Sequence, residues 1–251
     1  MQKRMKIVDA HMHLGPCRVF DVEVKAEELL NNMERNGITA SIVQPFPGAP
    51  DVKKIHQEIA RLASENPGRI FGMASLNPHQ DDDTYFAELD MLVKDYKFVG
   101  VKLHTIGHAI NPLSKDATKV FEAARKLGIP VMVHTGPGVP FSLPSLVILR
   151  AKQFPDVNII LAHAGNGMVL SDEIIPTVSI CKNVYVETSW SSILEKQAFI
   201  RTLGADRIIF GSDLPINTPI ELYQYKMLNL SHEELEKILF ENANKLFRLG
   251  L

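Results

Sequence analysis

The stretch KIVDAHMHLGP, residues 6–16, combines a short apolar run with two histidines two residues apart and a glycine–proline stop. Short apolar runs without strict alternation are typical of strands buried on both faces, as parallel sheets require. Seven further runs rich in Val and Ile follow, and most of them lead into a polar residue and then Gly or Pro. They are ASIVQPFPG (40–48), RIFGMASLNP (69–78), FVGVKLHT (98–105), VMVHTGPG (131–138), NIILAHAGNG (158–167), VYVETSW (184–190) and RIIFGSDLP (207–215).

The eight runs recur at a regular distance along the chain. Markers at the ends of successive runs lie 24 to 33 residues apart, and segments with helical periodicity lie between them. This spacing is that of a strand followed by a helix, so it predicts an α/β fold, a single-domain (β/α)8 TIM barrel over residues 1–251, with helices in about 218–251 packing on the barrel. An open, doubly wound sheet is the alternative, but it does not need eight regular units. The markers are His13, Gln44, Asn77, His104, His134, His163, Ser189 and Asp213.

The composition restricts the partners and the compartment. The formal net charge is −2, which indicates neither a nucleic-acid nor an anionic membrane partner. No apolar run reaches the ~18 residues that a membrane span needs, and MQKRMK leaves no room for a secretory signal before the first strand. Two cysteines, Cys17 and Cys181, make no disulfide framework. We therefore expect a cytoplasmic protein that binds neither nucleic acid nor a membrane.

Polar side chains stand at the ends of several predicted strands. Since strand side chains alternate, Asp9, His11 and His13 should share one face of the first strand, and His163 should share a face with Leu161. Active sites of (β/α)8 barrels form at the carboxyl ends of the strands. Imidazoles and a carboxylate gathered there are costly to desolvate without a strong partner, and a divalent cation is such a partner. The residues that predict this metal site are His11, His13, His134, His163 and Asp213.

Five pieces of sequence arrive in one order along the chain: DAHMHLG (9–15), VHTG (133–136), AHAG (162–165), VYVETSW (184–190) and GSDLP (211–215). Together with ENANKLF (241–247), they resemble the amidohydrolase superfamily of metal-dependent barrel hydrolases. The resemblance is closest to the amidohydrolase-related branch, which contains the aminocarboxymuconate-semialdehyde decarboxylase-like enzymes. An isolated His-x-His is a weak signal, whereas five correctly spaced pieces across nearly the whole chain are a strong one.

The resemblance implies a metal bound by His11, His13, His134 and Asp213. His163 would stand close by, as a base and polarising group or as a ligand to a second metal. Zinc is the default ion, manganese, iron and nickel are alternatives, and one ion is favoured over two. Water activated by the metal would be the nucleophile, Asp213 would take and return its proton, and His163 would stabilise the oxyanion.

Lys102 has three interpretations. Some binuclear relatives carry a carboxylated lysine at the end of the fourth strand, where it bridges two metals, and Lys102 lies at that place here. It could instead serve as a cation toward a substrate carboxylate or phosphate, or pair with a carboxylate such as Glu187. Asp9 is expected to support the backbone or the neighbouring histidines rather than to bind metal.

Three further residues are candidates for substrate contact. His104, a candidate for contact with a second metal or with the substrate, would reach either the site or the loop after the fourth strand, and the two are equally favoured. Arg18, just past the first strand, would meet a substrate anion or remain a solvated loop residue. Trp190 would form a wall of the pocket or pack under a neighbouring helix.

Together, these residues predict a metal-dependent hydrolase of a small-molecule amide, lactone or ester. The alternative is a metal-dependent non-oxidative decarboxylase of an aromatic or unsaturated carboxylic acid; such enzymes of this branch are generally longer and use an arginine, and no arginine ends a predicted strand here. A Schiff-base lyase with Lys102 as nucleophile leaves the histidines unexplained. A non-catalytic metal-binding protein does not require both Asp213 and His163. Relatives often form dimers, so a homodimer is a further expectation.

Overall fold

The computed structural model describes residues 5–251, without the side chains of residues 168 and 169; residues 1–4 of the predicted domain lie outside it. Nine strands form one sheet, in which β2 pairs antiparallel with β1, and β3 to β9 follow β1 in chain order as parallel neighbours. Eight of the strands coincide with the eight predicted runs, and the short β2 has no predicted counterpart. The strands are β1 (Val8–Cys17), β2 (Val22–Val24), β3 (Ala40–Pro45), β4 (Ile70–Ala74), β5 (Gly100–Leu103), β6 (Val131–His134), β7 (Ile159–Ala162), β8 (Val184–Glu187) and β9 (Ile208–Ile209).

Helices separate the parallel strands, as the periodicity predicts. The helices are α1 (Ala26–Asn36), α2 (Val52–Glu65), α3 (Asp82–Lys94), α4 (Lys115–Leu127), α5 (Val147–Gln153), α6 (Met168–Ser171), α7 (Ile174–Ile180), α8 (Ile193–Leu203), α9 (Thr218–Met227), α10 (His232–Glu236) and α11 (Asn242–Leu246). The short α6 and α7 lie between β7 and β8, and α7 accommodates Pro176 in its first turn. No helix in the described part of the chain is both long and apolar enough to cross a bilayer.

The sheet curls until its last segment meets its first strand. The backbone N–H of Asp213 donates to the carbonyl of His11 at 2.7 Å, and that of Ala10 donates to Phe210 at 3.1 Å. His13 N–H donates in turn to the Asp213 carbonyl at 3.3 Å. The predicted α/β fold is thereby confirmed as a curled, mostly parallel sheet with helices, and the curl brings the two ends of the chain's strand series together.

Strand β1 changes sides partway along its length. Val8 and Ala10 pack in the smaller apolar cluster, which includes Ala243 and Leu246 of α11, whereas Met12 and Leu14 pack in the larger cluster. The pairing of β1 with β3 contains one extra residue of β1 between Asp9 and Met12, which is a β-bulge. The prediction that Asp9 shares a face with His11 and His13 is therefore wrong, because a bulge reverses the alternation of side chains.

Helix α2 is anchored to the end of β4 through His56. The ring Nε2 of His56 accepts a hydrogen bond from the backbone N–H of Ser75 at 3.0 Å, and its edge packs on Phe98. The side chain is 3% exposed, and burial lowers the pKa of His56 from 6.5 to about 4. His56 is therefore neutral in the folded protein at pH values where the unfolded chain carries a protonated histidine.

Acidification is expected to destabilise the fold through His56. Between pH 6.5 and 4 the unfolded state binds a proton that the folded state does not, so the free energy of unfolding falls as pH falls. From pH 7 to pH 5 this loss is about 2 kcal/mol for His56 alone. Because other buried histidines add to the total, the measurement is the difference between the wild-type protein and His56→Gln, by urea unfolding at both pH values. A difference that does not change with pH would contradict the expectation.

Candidate metal centre

Two histidine rings and one carboxylate meet at the carboxyl end of the sheet. The Nε2 atoms of His11 and His13 lie 3.3 and 3.2 Å from the same oxygen, Oδ1 of Asp213. The candidate ligand atoms of these three residues all lie within 4.8 Å of one another. The bulge in β1 and the backbone hydrogen bonds of Asp213 place residues from the two ends of the strand series side by side.

The hydrogen bonds of the His11 and His13 rings show that, in each ring, the nitrogen facing the Asp213 carboxylate carries no proton. The Nδ1 of His11 lies 2.7 Å from a Glu187 oxygen, and that of His13 lies 3.0 Å from the carbonyl of Pro45. Both oxygens accept only, so each Nδ1 carries the proton and each Nε2 presents a lone pair. Two lone pairs and a carboxylate oxygen at about 3.3 Å repel one another, and a cation among them removes this repulsion. The ammonium of Lys102, 3.0 Å from His11 Nε2, offsets part of it, and the two imidazoles and the carboxylate form a donor set that zinc and similar ions bind.

His134 and His104 form a stacked pair next to this group. Their ring centroids are 4.2 Å apart, and the His134 ring lies edge-on to His163 at 4.9 Å. The buried Nδ1 of His134 has no hydrogen-bond partner, so it is available to a ligand that enters the site. The structure thus brings His134 beside the cluster of His11, His13 and Asp213, although not into the group within 4.8 Å. His104 is buried rather than in a surface loop, and it lines the cavity.

His163 reaches the site by a backbone turn rather than by strand alternation. Strand β7 ends at Ala162, and His163 itself has φ +66°. The His163 side chain therefore points away from the face of the sheet on which Leu161 packs. The predicted pairing of His163 with Leu161 is therefore wrong, although the His163 ring lies 4.8 Å from that of His11. A left-handed, non-glycine residue costs energy that the surrounding contacts must offset, and such residues concentrate at functional sites.

A chain of hydrogen bonds sets the tautomer of His163. The Ser189 hydroxyl donates to Glu187 at 3.0 Å and accepts from Nδ1 of His163 at 2.8 Å. The Nε2 of His163 therefore carries a lone pair, and burial lowers the pKa of His163 to about 3. A neutral ring in this tautomer accepts rather than donates, which is not the donor role toward an oxyanion that the resemblance implies.

Asp213 is held in a single orientation by its neighbours. It has φ +68°, and its second oxygen, Oδ2, accepts a hydrogen bond from the indole N–H of Trp190 at 2.8 Å. Trp190 thus lines the cavity, as one of its two interpretations predicts, and its contact with Asp213 positions a candidate metal ligand.

A buried ion pair between Lys196 and Glu221 supports the loop that carries Trp190. The backbone N–H of Trp190 donates to Glu221 at 2.7 Å, and the other Glu221 oxygen lies 2.8 Å from Nζ of Lys196. Both charged side chains are buried. Burial lowers the pKa of Lys196 and raises that of Glu221, while their mutual attraction opposes both shifts. This pair links α8 and α9 directly beneath the segment that follows β8.

Glu187 is a residue of the site that sequence reasoning placed only as a partner of Lys102. It is fully buried, and its carboxylate accepts from His11 Nδ1, from the backbone of His163 and from Ser189. A Cβ at Gly211 would lie 2.6 Å from one Glu187 oxygen, so glycine leaves room for the carboxylate. The available signal was its position at the end of β8 in VYVETSW, where the neighbouring strands also end in site residues.

Lys102 contacts a histidine of the site, and Asp9 supports the backbone around it. The Nζ of Lys102 lies 3.0 Å from Nε2 of His11, while Glu187 bonds to the other nitrogen of that ring. Lys102 is buried, its pKa is lowered by that burial to about 8, and it is not among the residues that line the cavity. Asp9 accepts from the backbone N–H groups of His11 and Ser212, so it supports the two segments that carry metal-ligand candidates, as expected.

A cavity of about 490 Å³ opens above the cluster. Its deep part is formed by His13, His104, His134, His163 and Asp213. Its mouth is apolar and is formed in part by the hairpin between β1 and β2. Arg18 is exposed and is not among the lining residues, so the structure does not bring it to the site.

Glu187→Gln is expected to weaken metal binding by about 10- to 100-fold, because residues that orient metal-binding histidines have effects of this size. The amide keeps the shape but cannot accept from all of the groups that surround the carboxylate. The measurement is the dissociation constant for zinc from chelator competition, with the exposed Glu241→Gln as the matched control. Equal affinities of the two variants would contradict the expectation.

These features define a class of protein: a curled parallel α/β sheet with histidines and a carboxylate, a donor set for a divalent cation, at its carboxyl end. The chain belongs to the amidohydrolase family, whose family model matches residues 8–249. The family predicted from the sequence pieces is thereby confirmed.

Solved structures with the same fold come from both decarboxylases and hydrolases. A dihydroxybenzoic acid decarboxylase from Polaromonas sp. JS666, with bound manganese and 2-nitroresorcinol, is 18% identical with a TM-score of 0.77, over 99% of this chain and 98% of that chain. The 5-carboxyvanillate decarboxylase from Sphingomonas paucimobilis is 14% identical with a TM-score of 0.77, over 98% and 99%. An Acinetobacter baumannii protein with citric acid bound, to which 2-pyrone-4,6-dicarboxylic acid hydrolase activity is attributed, is 17% identical with a TM-score of 0.75, over 97% and 100%.

Proposed function

We propose that the protein is a metal-dependent hydrolase that adds water across an amide, lactone or ester bond of a small molecule. The observation that carries the proposal is the meeting of two imidazole lone pairs and one carboxylate oxygen at the strand ends. When bound there, a divalent cation supplies Lewis acidity and lowers the pKa of a water molecule.

The ligands in this proposal are His11, His13 and Asp213, with His134 as the fourth. The unpartnered Nδ1 of His134 supports that choice. One ion is proposed rather than two, since the second group of possible ligands, His11, His163 and Glu187, shares His11 with the first, and Lys102 contacts His11. Zinc suits a donor set dominated by imidazole, and manganese is the first alternative because the Polaromonas relative holds it; iron and nickel are the others.

The chain's own groups then move the proton. Asp213 accepts a proton from the attacking water and returns it to the leaving group, while the Trp190 N–H keeps the other carboxylate oxygen in place. His163 takes the role of an acceptor, because the Glu187–Ser189–His163 chain leaves its Nε2 with a lone pair. The apolar mouth of the cavity limits the entry of further water.

Decarboxylation of an aromatic acid is the second candidate, and the names of the Polaromonas and Sphingomonas relatives favour it. In that reaction the cation and the histidines would hold the carboxylate, and Asp213 would supply the proton that replaces carbon dioxide. Hydrolysis is preferred because Arg18, a candidate partner for a carboxylate, is not among the cavity's lining residues.

We also propose that the sheet is a closed (β/α)8 barrel within a single domain. The hydrogen bonds that join His11 and His13 to the backbone of Asp213, and Ala10 to Phe210, support closure between β1 and the segment that follows β9. Closure accounts for the site, because it makes neighbours of the first and last parallel strands.

The test of the proposed function combines elemental analysis with a substrate panel. Purified protein loaded with zinc should hold close to one equivalent and hydrolyse at least one member of a panel of neutral esters, lactones and amides. The matched control is the metal-free protein, which should be inactive on the same compounds. Release of carbon dioxide from aromatic acids, without hydrolysis of any panel member, would overturn the proposal in favour of decarboxylation, and two equivalents of metal would overturn the single-ion site.

A further inference from the structure

The mouth of the cavity is built from exposed apolar side chains. Val19 and Phe20, at the turn between β1 and β2, are 67% and 72% exposed, yet both line the cavity. Ile106 and Trp190 approach from the loops after β5 and β8 and are also substantially exposed. Contiguous apolar side chains exposed at a concave site mark a surface that a ligand covers.

The same cavity offers no cation to an anionic substrate beyond the metal centre. None of the described residues that line it is a lysine or an arginine. Lys102 is buried and its Nζ lies 3.0 Å from Nε2 of His11, so it is not exposed to the cavity. A carboxylate or phosphate at the mouth would lose its hydration against Phe20 and Ile106 without gaining a partner, which is costly.

We propose that the substrate is a neutral ester, lactone or amide whose distal part is aromatic or branched aliphatic and carries no carboxylate or phosphate. The inference rests on the proposed function and narrows its substrate class. In the reaction the acyl carbon gains the oxygen of water, its bond to the leaving oxygen or nitrogen breaks, and the leaving group takes the remaining proton. Phe20 acts as a specificity-determining residue, since it is the most exposed apolar side chain of the mouth.

The first test compares a matched pair of esters on the zinc-loaded protein. We expect kcat/KM for 4-methylphenyl butyrate to exceed that for 4-carboxyphenyl butyrate by at least about tenfold. Each kcat/KM is first divided by the rate constant for hydrolysis of the same ester by hydroxide. The reason is that burying one unpaired charge disfavours the carboxylated ester by more than a factor of about ten. Equal values, or a preference for the carboxylated ester, would overturn the substrate class while leaving hydrolysis intact. Inertness toward both esters and toward the whole panel of neutral compounds would count against the proposed hydrolysis instead.

Binding provides a readout that needs no turnover. Trp190 is the chain's single tryptophan and lines the cavity, so its fluorescence reports occupancy. The neutral 4-methylphenyl propyl ketone should change this fluorescence at a concentration at least about tenfold lower than its 4-carboxyphenyl counterpart. Half-saturation by both ketones at the same concentration would overturn the inference, even for a protein that hydrolyses neither ester.

Variants of the mouth supply the sharpest comparison. Phe20→Arg should raise kcat/KM for the carboxylated ester and lower that for the neutral one, each by about tenfold, because it adds the missing cation. Phe20 is exposed, so the fold should tolerate the change. Leu149→Arg is the control, since Leu149 is an exposed residue of α5 outside the cavity, and both rates should stay unchanged. Identical rate ratios in the two variants would overturn the role of Phe20.

Discussion

Asp213→Asn should leave the protein folded but nearly free of metal. The bound zinc is expected to fall from about one equivalent per chain to less than about a tenth, with at least about a thousandfold loss of hydrolytic activity. The reason is geometric: both His11 Nε2 and His13 Nε2 approach Asp213 Oδ1, and an amide removes the negative charge of that oxygen. Asparagine is chosen because it tolerates the φ of +68° at this position.

Elemental analysis after dialysis measures the metal, and circular dichroism confirms that the fold persists. Asp156→Asn is the matched control, since Asp156 is exposed in the segment before β7, at the other end of the strands. The backbone hydrogen bonds between Asp213 and β1 do not involve the altered side chain, so stability should change little. Full metal content in Asp213→Asn would remove this residue from the ligand set.

Lys196→Met should lower the free energy of unfolding by about 3–5 kcal/mol, because it leaves the buried Glu221 carboxylate without its cation. Lys196 also donates to the Ser191 carbonyl and to Gln224, so its loss leaves further buried acceptors unpaired. Since Glu221 holds the backbone of Trp190, the variant should also bind zinc more weakly. Urea unfolding measures the first effect, and chelator competition measures the second.

Two comparisons separate the buried charge from general disruption. The double variant Lys196→Met/Glu221→Gln should recover at least half of the lost stability, because the glutamine keeps an acceptor for Trp190 without a buried charge. Lys94→Met is the control: Lys94 is 62% exposed in an ion pair with Asp90 one helical turn away, and such pairs contribute less than about 1 kcal/mol. A loss in Lys196→Met no larger than that in Lys94→Met would contradict the expectation.

Much of the site could be predicted because its ligand candidates sit at strand ends that local patterns reveal. The run around His11 and His13 is apolar before the histidines and stops at Gly15, and similar runs end at His134 and Asp213. A repeat of strand and helix then implies that these ends meet at one edge, without any knowledge of side-chain contacts. The family followed from the same pieces, and the match over residues 8–249 confirmed it.

The wrong predictions concern places where the backbone conformation of a single residue changes the direction of a side chain. The bulge between Asp9 and Met12 places Asp9 on the opposite face of β1 from His11 and His13. The left-handed backbone of His163 turns its ring into the site, on the side opposite to the one that strand alternation predicts. Neither leaves a clear mark in the sequence, since the strand that contains the bulge and the residue that adopts a positive φ are otherwise ordinary. Arg18 adjoins the site along the chain but does not line the cavity.

The sequence by itself determined the alternation of strands and helices, the family and the residues that can bind a metal, because these depend on local patterns of side-chain chemistry. Only the tertiary structure decided that Glu187 orients His11, that Trp190 holds Asp213 and that the hairpin turn with Phe20 forms the apolar mouth. These contacts join segments far apart along the chain, and they depend on how the sheet curls and where each loop turns. A pattern with a period of a few residues carries no information on either.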